Sequence, residues 1–225
     1  TLIVAREEAR ERDNGEAGWS RVLRQVVGSS RERAGDPLAL IIDAHDSSAP
    51  ISLTPLRRGA FCEWTGKRAS WLDLTATQWA SVTDGIDPTH LSLVREGYRL
   101  SRESRSWHSR TEVTLASLGE HAYPWLNRLV RAGVTLFSSP TTDELFEVSH
   151  ATWDADIDVV SEETGLAVTV VARNGDRVIH SPRIDAATGL LVLNGGRSVA
   201  RLEGASTLEG FPFDRALRIP SSDVA

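Results

Sequence analysis

The hydrophobic pattern of this chain changes period at Gly133. Before it, Leu118, Ala122, Trp125, Leu126, Leu129 and Val130 fall at i, i+4, i+7, i+8, i+11 and i+12, the spacing of one helical face. Pro124 is tolerable only in the first turns of such a helix, and Gly133 is a fitting C-terminal cap. After Gly133 the pattern becomes extended. Leu145 to Val148, Trp153 to Val160, Gly165 to Arg173, Arg177 to His180, Leu190 to Asn194 and Val199 to Leu202 all read as strands. Asn174-Gly175 and Asn194-Gly195-Gly196 supply hairpin turns between them.

Upstream, residues 1–35 are charged and helix-prone, and Trp19, Val22, Leu23, Val26 and Val27 recur at helical spacing before Gly28-Ser29-Ser30. Leu38 to Ala44 reads as a buried strand, with Pro50 to Leu56 as its neighbour and Ala60 to Thr65 as a third. Trp71 to Leu74 opens a helical stretch. Asp87-Pro88 then starts a helix, with Asp as N-cap and Pro at the first position, and Leu91, Val94, Tyr98 and Leu100 form its apolar stripe. The expected fold class is therefore α+β with mainly antiparallel sheets. A helix plus β-meander occupies 1–75, a helical segment 76–133 and a β-rich part 134–225, and together they can form one continuous domain.

Composition narrows the class of protein. The 225 residues are 40% hydrophobic and 25% charged, ordinary values for a globular chain. The longest apolar run, Leu38 to Ile42, is far too short to cross a bilayer. The N-terminus lacks the pattern of a secretion signal, and a lone cysteine, Cys62, suits a reducing compartment, so a cytoplasmic location is expected. With no methionine and a start at Thr1, the chain reads as an excerpt of a longer reading frame. Of the 25 basic residues only Lys67 is lysine, a skew that a GC-rich genome would produce. The net charge of −6 disfavours binding of DNA over the whole surface, but leaves room for a local basic patch.

Few motifs carry chemistry. Thr65-Gly66-Lys67 resembles the end of a phosphate-binding loop, but Phe61 and Arg68 stand where that loop needs Gly and Ser or Thr. Asp154, Asp156 and Asp158 alternate on one strand face. A calcium loop would want Gly and Glu where Val159 and Gly165 stand, so a solvated face fits better. The six histidines (His45, His90, His108, His121, His150 and His180) are scattered without a ligand-like pair. Cys62, next to Trp64 in an expected strand, suits a small buried hydrophobe. Neither a nucleophile elbow nor a dinucleotide fingerprint is present, and the cysteine count excludes cysteine-rich zinc sites.

One constellation is basic and aromatic. Arg57, Arg58, Lys67 and Arg68 flank the expected strand Ala60 to Thr65, with Trp64 and Trp71 beside them. Cations among aromatics can hold a phosphate backbone and stack on bases, and they can equally be turn residues around core tryptophans. Arg57, Arg58, Lys67, Arg68 and Trp64 are the candidate nucleic-acid-binding residues. A second cluster, Arg95, Arg99, Arg102, Arg105 and Arg110, reads as a solvated helix face.

The order of segments resembles a known family. Trp19-Ser20-Arg21-Val22-Leu23 leads to Pro37-Leu38-Ala39-Leu40-Ile41-Ile42, then to Leu53-Thr54-Pro55-Leu56-Arg57-Arg58-Gly59 and to Trp64-Thr65-Gly66-Lys67-Arg68-Ala69-Ser70-Trp71-Leu72-Asp73-Leu74. Pro124 to Val134 and the closing Leu217-Arg218-Ile219-Pro220-Ser221-Ser222-Asp223-Val224 complete the series. It resembles the N-terminal region preceding the motor in actinobacterial Swi/Snf-type helicases of superfamily 2, which carry a DEAD/DEAH-like box. Ile184-Asp185-Ala186-Ala187-Thr188-Gly189 departs from the Pro-x-His-Gly turn expected there. The resemblance implies a DNA-dependent ATPase whose two RecA-like lobes follow Ala225, with ATP and Mg belonging to that motor and no cofactor in this chain. It implies a non-catalytic accessory domain whose partners are the motor in cis and DNA at the basic patch, with no membrane and no small-molecule ligand. The competing class is a free-standing protein–protein interaction module, for example of a defence or stress complex.

Overall fold

The computed structural model describes residues 35–47, 49–58, 64, 70–75, 83, 85–103, 112–139, 143–185, 187–208 and 215–223. The fold is α+β, built on two mainly antiparallel sheets. No helix among the described residues is long and apolar enough to cross a membrane.

The uninterrupted apolar run forms β1 (Leu38–Asp43), and Leu38, Ala39, Leu40, Ile41 and Ile42 are all buried, so both of its faces are covered. It pairs antiparallel with β2 (Ser52–Arg57), in a register from Leu38↔Arg57 to Asp43↔Ser52. The third meander strand expected at Ala60 to Thr65 lies outside the described residues apart from Trp64. Beside β2 stands β3 (Val113–Thr114) instead, and beside β1 the parallel strand β4 (Thr135–Phe137), giving the order β3-β2-β1-β4. Pro55 has no N–H to give a ladder. It sits beyond the reach of β3, which pairs only with Ser52 and Leu53.

Three helices cover one face of this sheet: α1 (Trp71–Thr75), α2 (Pro88–Glu103) and α3 (Ala122–Arg131). The expected N-cap of α2 is present, since Asp87 Oδ1 accepts the N–H of Thr89 at 2.8 Å and of His90 at 3.2 Å. A 3₁₀ turn, Leu115–His121, feeds α3, and Pro124 falls in the first turn, where its missing N–H costs nothing. Gly133, at φ +82°, ends α3. Val134 N–H returns to the Leu129 carbonyl and Gly133 N–H to that of Val130, both at 3.0 Å. Leu118, Ala122, Trp125, Leu126 and Leu129 are buried, as their spacing predicts, while Val130 is exposed.

Two contacts lock these helices in place. Trp125 lies over Gly97 of α2, where a Cβ would come within 2.4 Å of the indole, and its Nε1–H donates to the Leu93 carbonyl at 2.8 Å. His90 is buried between three elements. Leu38 N–H donates to its Nδ1 at 3.1 Å, which puts the ring proton on Nε2, 2.9 Å from the Ala132 carbonyl. The surrounding core draws Leu38 and Leu40 from β1, Val94 and Trp125 from the helices, and Val148, Leu190 and Val199 from beyond Gly133.

The second sheet contains β5 (Glu147–Glu162), β6 (Gly165–Asn174), β7 (Arg177–His180), β8 (Arg183–Asp185), β9 (Leu190–Leu193), β10 (Ser198–Glu203) and β11 (Leu217–Pro220). Its order is β11-β6-β5-β10-β9-β8, with β7 also beside β6; β10 runs parallel to β5 and every other pair is antiparallel. Gly175, at φ +56°, and Asp176 turn the β6–β7 hairpin, and Asn194–Gly196 turns β9 into β10. Only Ser181 and Pro182 separate β7 from β8 although they stand far apart in strand order, so the sheet must curl until these strands approach. Ile179 of β7 and Ile184 of β8 accordingly pack on one shared cluster of Trp153, Ala172, Leu191, Ala200 and Leu202. Strand β9 thereby serves two cores, Leu190 and Val192 facing the helices and Leu191 facing this inner cluster.

Candidate nucleic-acid interface

Strand β2 delivers Arg57 at its last position and Arg58 immediately after it. Arg57 is half-buried and engaged, whereas Arg58 is exposed. The Arg58 guanidinium carbon stands 5.4 Å from the ring centroid of Trp64, a cation–π contact. Trp64 is half-buried and meets Phe137 of β4 edge-on, with centroids 6.0 Å apart at 63°. Phe137 belongs to an apolar patch with Ala39, Ile41 and Leu56, on the sheet face opposite the helices. The fold therefore brings Arg58 and Trp64 together, with Arg57 adjacent. Lys67 and Arg68 lie outside the described residues.

In the second arginine cluster Arg95 and Arg99 are engaged in local contacts, while Arg102 is exposed near the end of α2. Arg95 Nε donates to the Leu74 carbonyl at 2.9 Å, closing the end of α1, and Arg99 pairs with Glu103 at 2.6 Å one turn along α2. Arg128 of α3 adds a bridge to Glu96 at 2.8 Å. Such surface pairs contribute little individually. Arg105 and Arg110 lie outside the described residues.

The aspartates of β5 form a surface row. Asp156 accepts the Ile157 N–H at 2.8 Å and meets Arg173 at 2.9 Å, and these two contacts, in that order, hold its carboxyl below the ordinary range. Asp158 faces His180 at 3.8 Å. Asp185 behaves oppositely. Burial in the β8–β9 turn pushes its carboxyl up, only partly offset by the N–H groups of Ala187 and Thr188. The turn that departs from the expected Pro-x-His-Gly pattern is thus held by Asp185, whose carbonyl also accepts from Gly189 N–H at 2.9 Å.

His45 and Asp46, after β1, sit at a joint between the sheets. Arg183 of β8 donates to the carbonyls of Ala44 and Asp46, and His45 Nδ1 lies 3.2 Å from the Gly195 carbonyl. Gly196 meets the same loop so closely that a Cβ would clash with the Ala44 carbonyl. Among the described residues no three His, Cys, Asp or Glu side chains converge as a metal site. A cleft of about 560 Å³ opens between the start of α3 and the β9–β10 end of the sheet, with Glu120, Tyr123, Arg201 and Glu203 on its walls.

Sequence reasoning missed Gly97, His90 and Arg183. A glycine inside a helical stripe signals close packing, but nothing local points to Trp125 as its neighbour. Comparison of the chain with protein-family models, with curated proteins and with solved structures finds no match.

Proposed function

We propose that this chain is a non-catalytic accessory domain of a Swi/Snf-type ATP-dependent DNA translocase in the cytoplasm, acting as scaffold, DNA guide or partner platform. The order of the short sequence segments between Trp19 and Val224 supports the family, and in that reading ATP and Mg are handled by the motor in cis. The observation that carries the DNA-guiding role is Arg58, exposed at the exit of β2 and held over Trp64. A guanidinium oriented by an aromatic ring loses less freedom on meeting a phosphate than a free side chain does, and it can donate two parallel hydrogen bonds. The net charge of −6 opposes the contact, so the isolated chain binds weakly and only at low salt. Replacing Arg57, Arg58, Lys67 and Arg68 together by Ser tests the reading, through anisotropy of a labelled short duplex at low and moderate salt. Binding by the parent that the quadruple variant loses supports it; no parent binding, or binding with an unchanged salt slope, counts against it.

A protein–protein interaction module is the second reading, and one observation favours it. Ile157, Val159 and Leu217 lie on one face of the β5–β6–β11 ribbon and are 39%, 54% and 43% exposed. Such a row is costly to leave in water. Loss of a captured partner on changing these three residues to Ser, with no duplex binding by the parent, would favour the module over the DNA guide.

A further inference from the structure

Among the described residues, Trp64 is the aromatic beside the exposed Arg58, and its ring is already engaged. It packs on the cluster of Ala39, Ile41, Leu56 and Phe137, meets Phe137 edge-on at 6.0 Å, and carries the Arg58 guanidinium over its ring at 5.4 Å. A nucleobase stacks only on an open ring face. To reach the face that carries Arg58 it would have to displace the guanidinium, losing the cation–π contact and the charge that attracts the strand. The group left facing solvent is the guanidinium, a planar donor fork whose match is a phosphate. We infer that the contact at this edge is made to backbone phosphate alone, with Trp64 as the support of Arg58 and not as a stacking platform. The inference rests on the DNA-guiding reading and specifies its ligand as a sugar-phosphate backbone irrespective of base, the sequence-neutral contact that a guide for a moving strand requires.

Base content is therefore the variable to test, and the decisive comparison uses the unmodified chain. Stacking of one base is worth roughly 5- to 150-fold in affinity. Two labelled single strands of equal length, one with bases and one abasic, are titrated by anisotropy at low salt. Equal binding within about twofold is expected, with Arg58→Ser weakening both strands alike. Trp64→Phe, which keeps an aromatic support, leaves both nearly unchanged. Binding of the base-containing strand more than about fivefold tighter than the abasic one overturns the inference while leaving the DNA-guiding reading intact. Failure of the parent to bind either strand overturns the reading beneath it.

Discussion

Gly97→Ala should destabilise this protein, although the same change in an open helix stabilises. Alanine gains about 1 kcal/mol over glycine in a helix interior from propensity alone. At position 97, however, the new Cβ would stand 2.4 Å from Trp125 Cζ2, 2.6 Å from Cε2 and 3.0 Å from Nε1. Comfortable carbon–carbon contact begins near 3.5 Å, so roughly 1 Å of separation must be found. Trp125 cannot supply it cheaply, because it is fully buried and its Nε1–H is fixed on Leu93. Overpacking of this kind costs about 1–3 kcal/mol or more, and losing the indole hydrogen bond adds about 1 kcal/mol. After the propensity gain is subtracted, a net loss of about 1–3 kcal/mol remains, which lowers Tm by about 2–12 °C in a domain of this size. Urea and thermal denaturation followed by circular dichroism measure it. Combining Gly97→Ala with Trp125→Leu removes the clashing ring, so the pair should be non-additive by about 1 kcal/mol or more. A higher Tm for Gly97→Ala, or additivity within about 0.5 kcal/mol, would refute the packing argument.

Two further outcomes follow from half-buried polar groups. The Asp185 carboxyl is pushed up by burial, so its contribution to stability is fully present below the unfolded value of about 4 and falls as pH rises through the folded value. Asp185→Asn, which keeps the oxygen that accepts the Ala187 N–H, should therefore raise the urea midpoint at pH 7, with the advantage shrinking as the pH approaches 4; an advantage that grows on acidification would reverse the sign of this account. Arg183→Met preserves the aliphatic stem but removes both donors to the loop after β1, so it should cost about 1–3 kcal/mol and speed hydrogen exchange of residues 44–47. Unchanged exchange there would show that the loop is held without Arg183.

The parts of the fold legible in the sequence are those that local chemistry specifies. The stripe from Leu118 to Leu129 fixes the buried face of α3, Asp87-Pro88 its predecessor's start, and Gly133 the end of α3. Turns at Asn174-Gly175 and Asn194-Gly195-Gly196 place the hairpins for the same reason. What local pattern does not encode is pairing between distant segments. Strand β1 lies parallel to β4, almost a hundred residues later, because a buried strand must pair the backbone groups on its second edge as well as its first. The short strands β8 and β11 carry too few residues to show a period, and β5 continues through Ser149, His150, Ala151 and Thr152, where no apolar alternation marks it. At the candidate interface, composition singles out Arg57, Arg58, Lys67, Arg68 and Trp64. The choice of Arg58 as Trp64's partner depends on how the chain after β2 returns to Phe137 on β4, which is a tertiary fact.

The salt dependence of duplex binding by the parent and by Arg58→Ser tests the central claim most directly. Each phosphate neutralised adds about −0.9 to the slope of log Kobs against log salt on a duplex. If Arg58, held over Trp64, contacts one phosphate, the substitution makes the slope shallower by about 0.9, to the same extent on duplexes of unrelated sequence. A slope that Arg58→Ser leaves unchanged would contradict the account, because the cation held over Trp64 would then not be touching DNA.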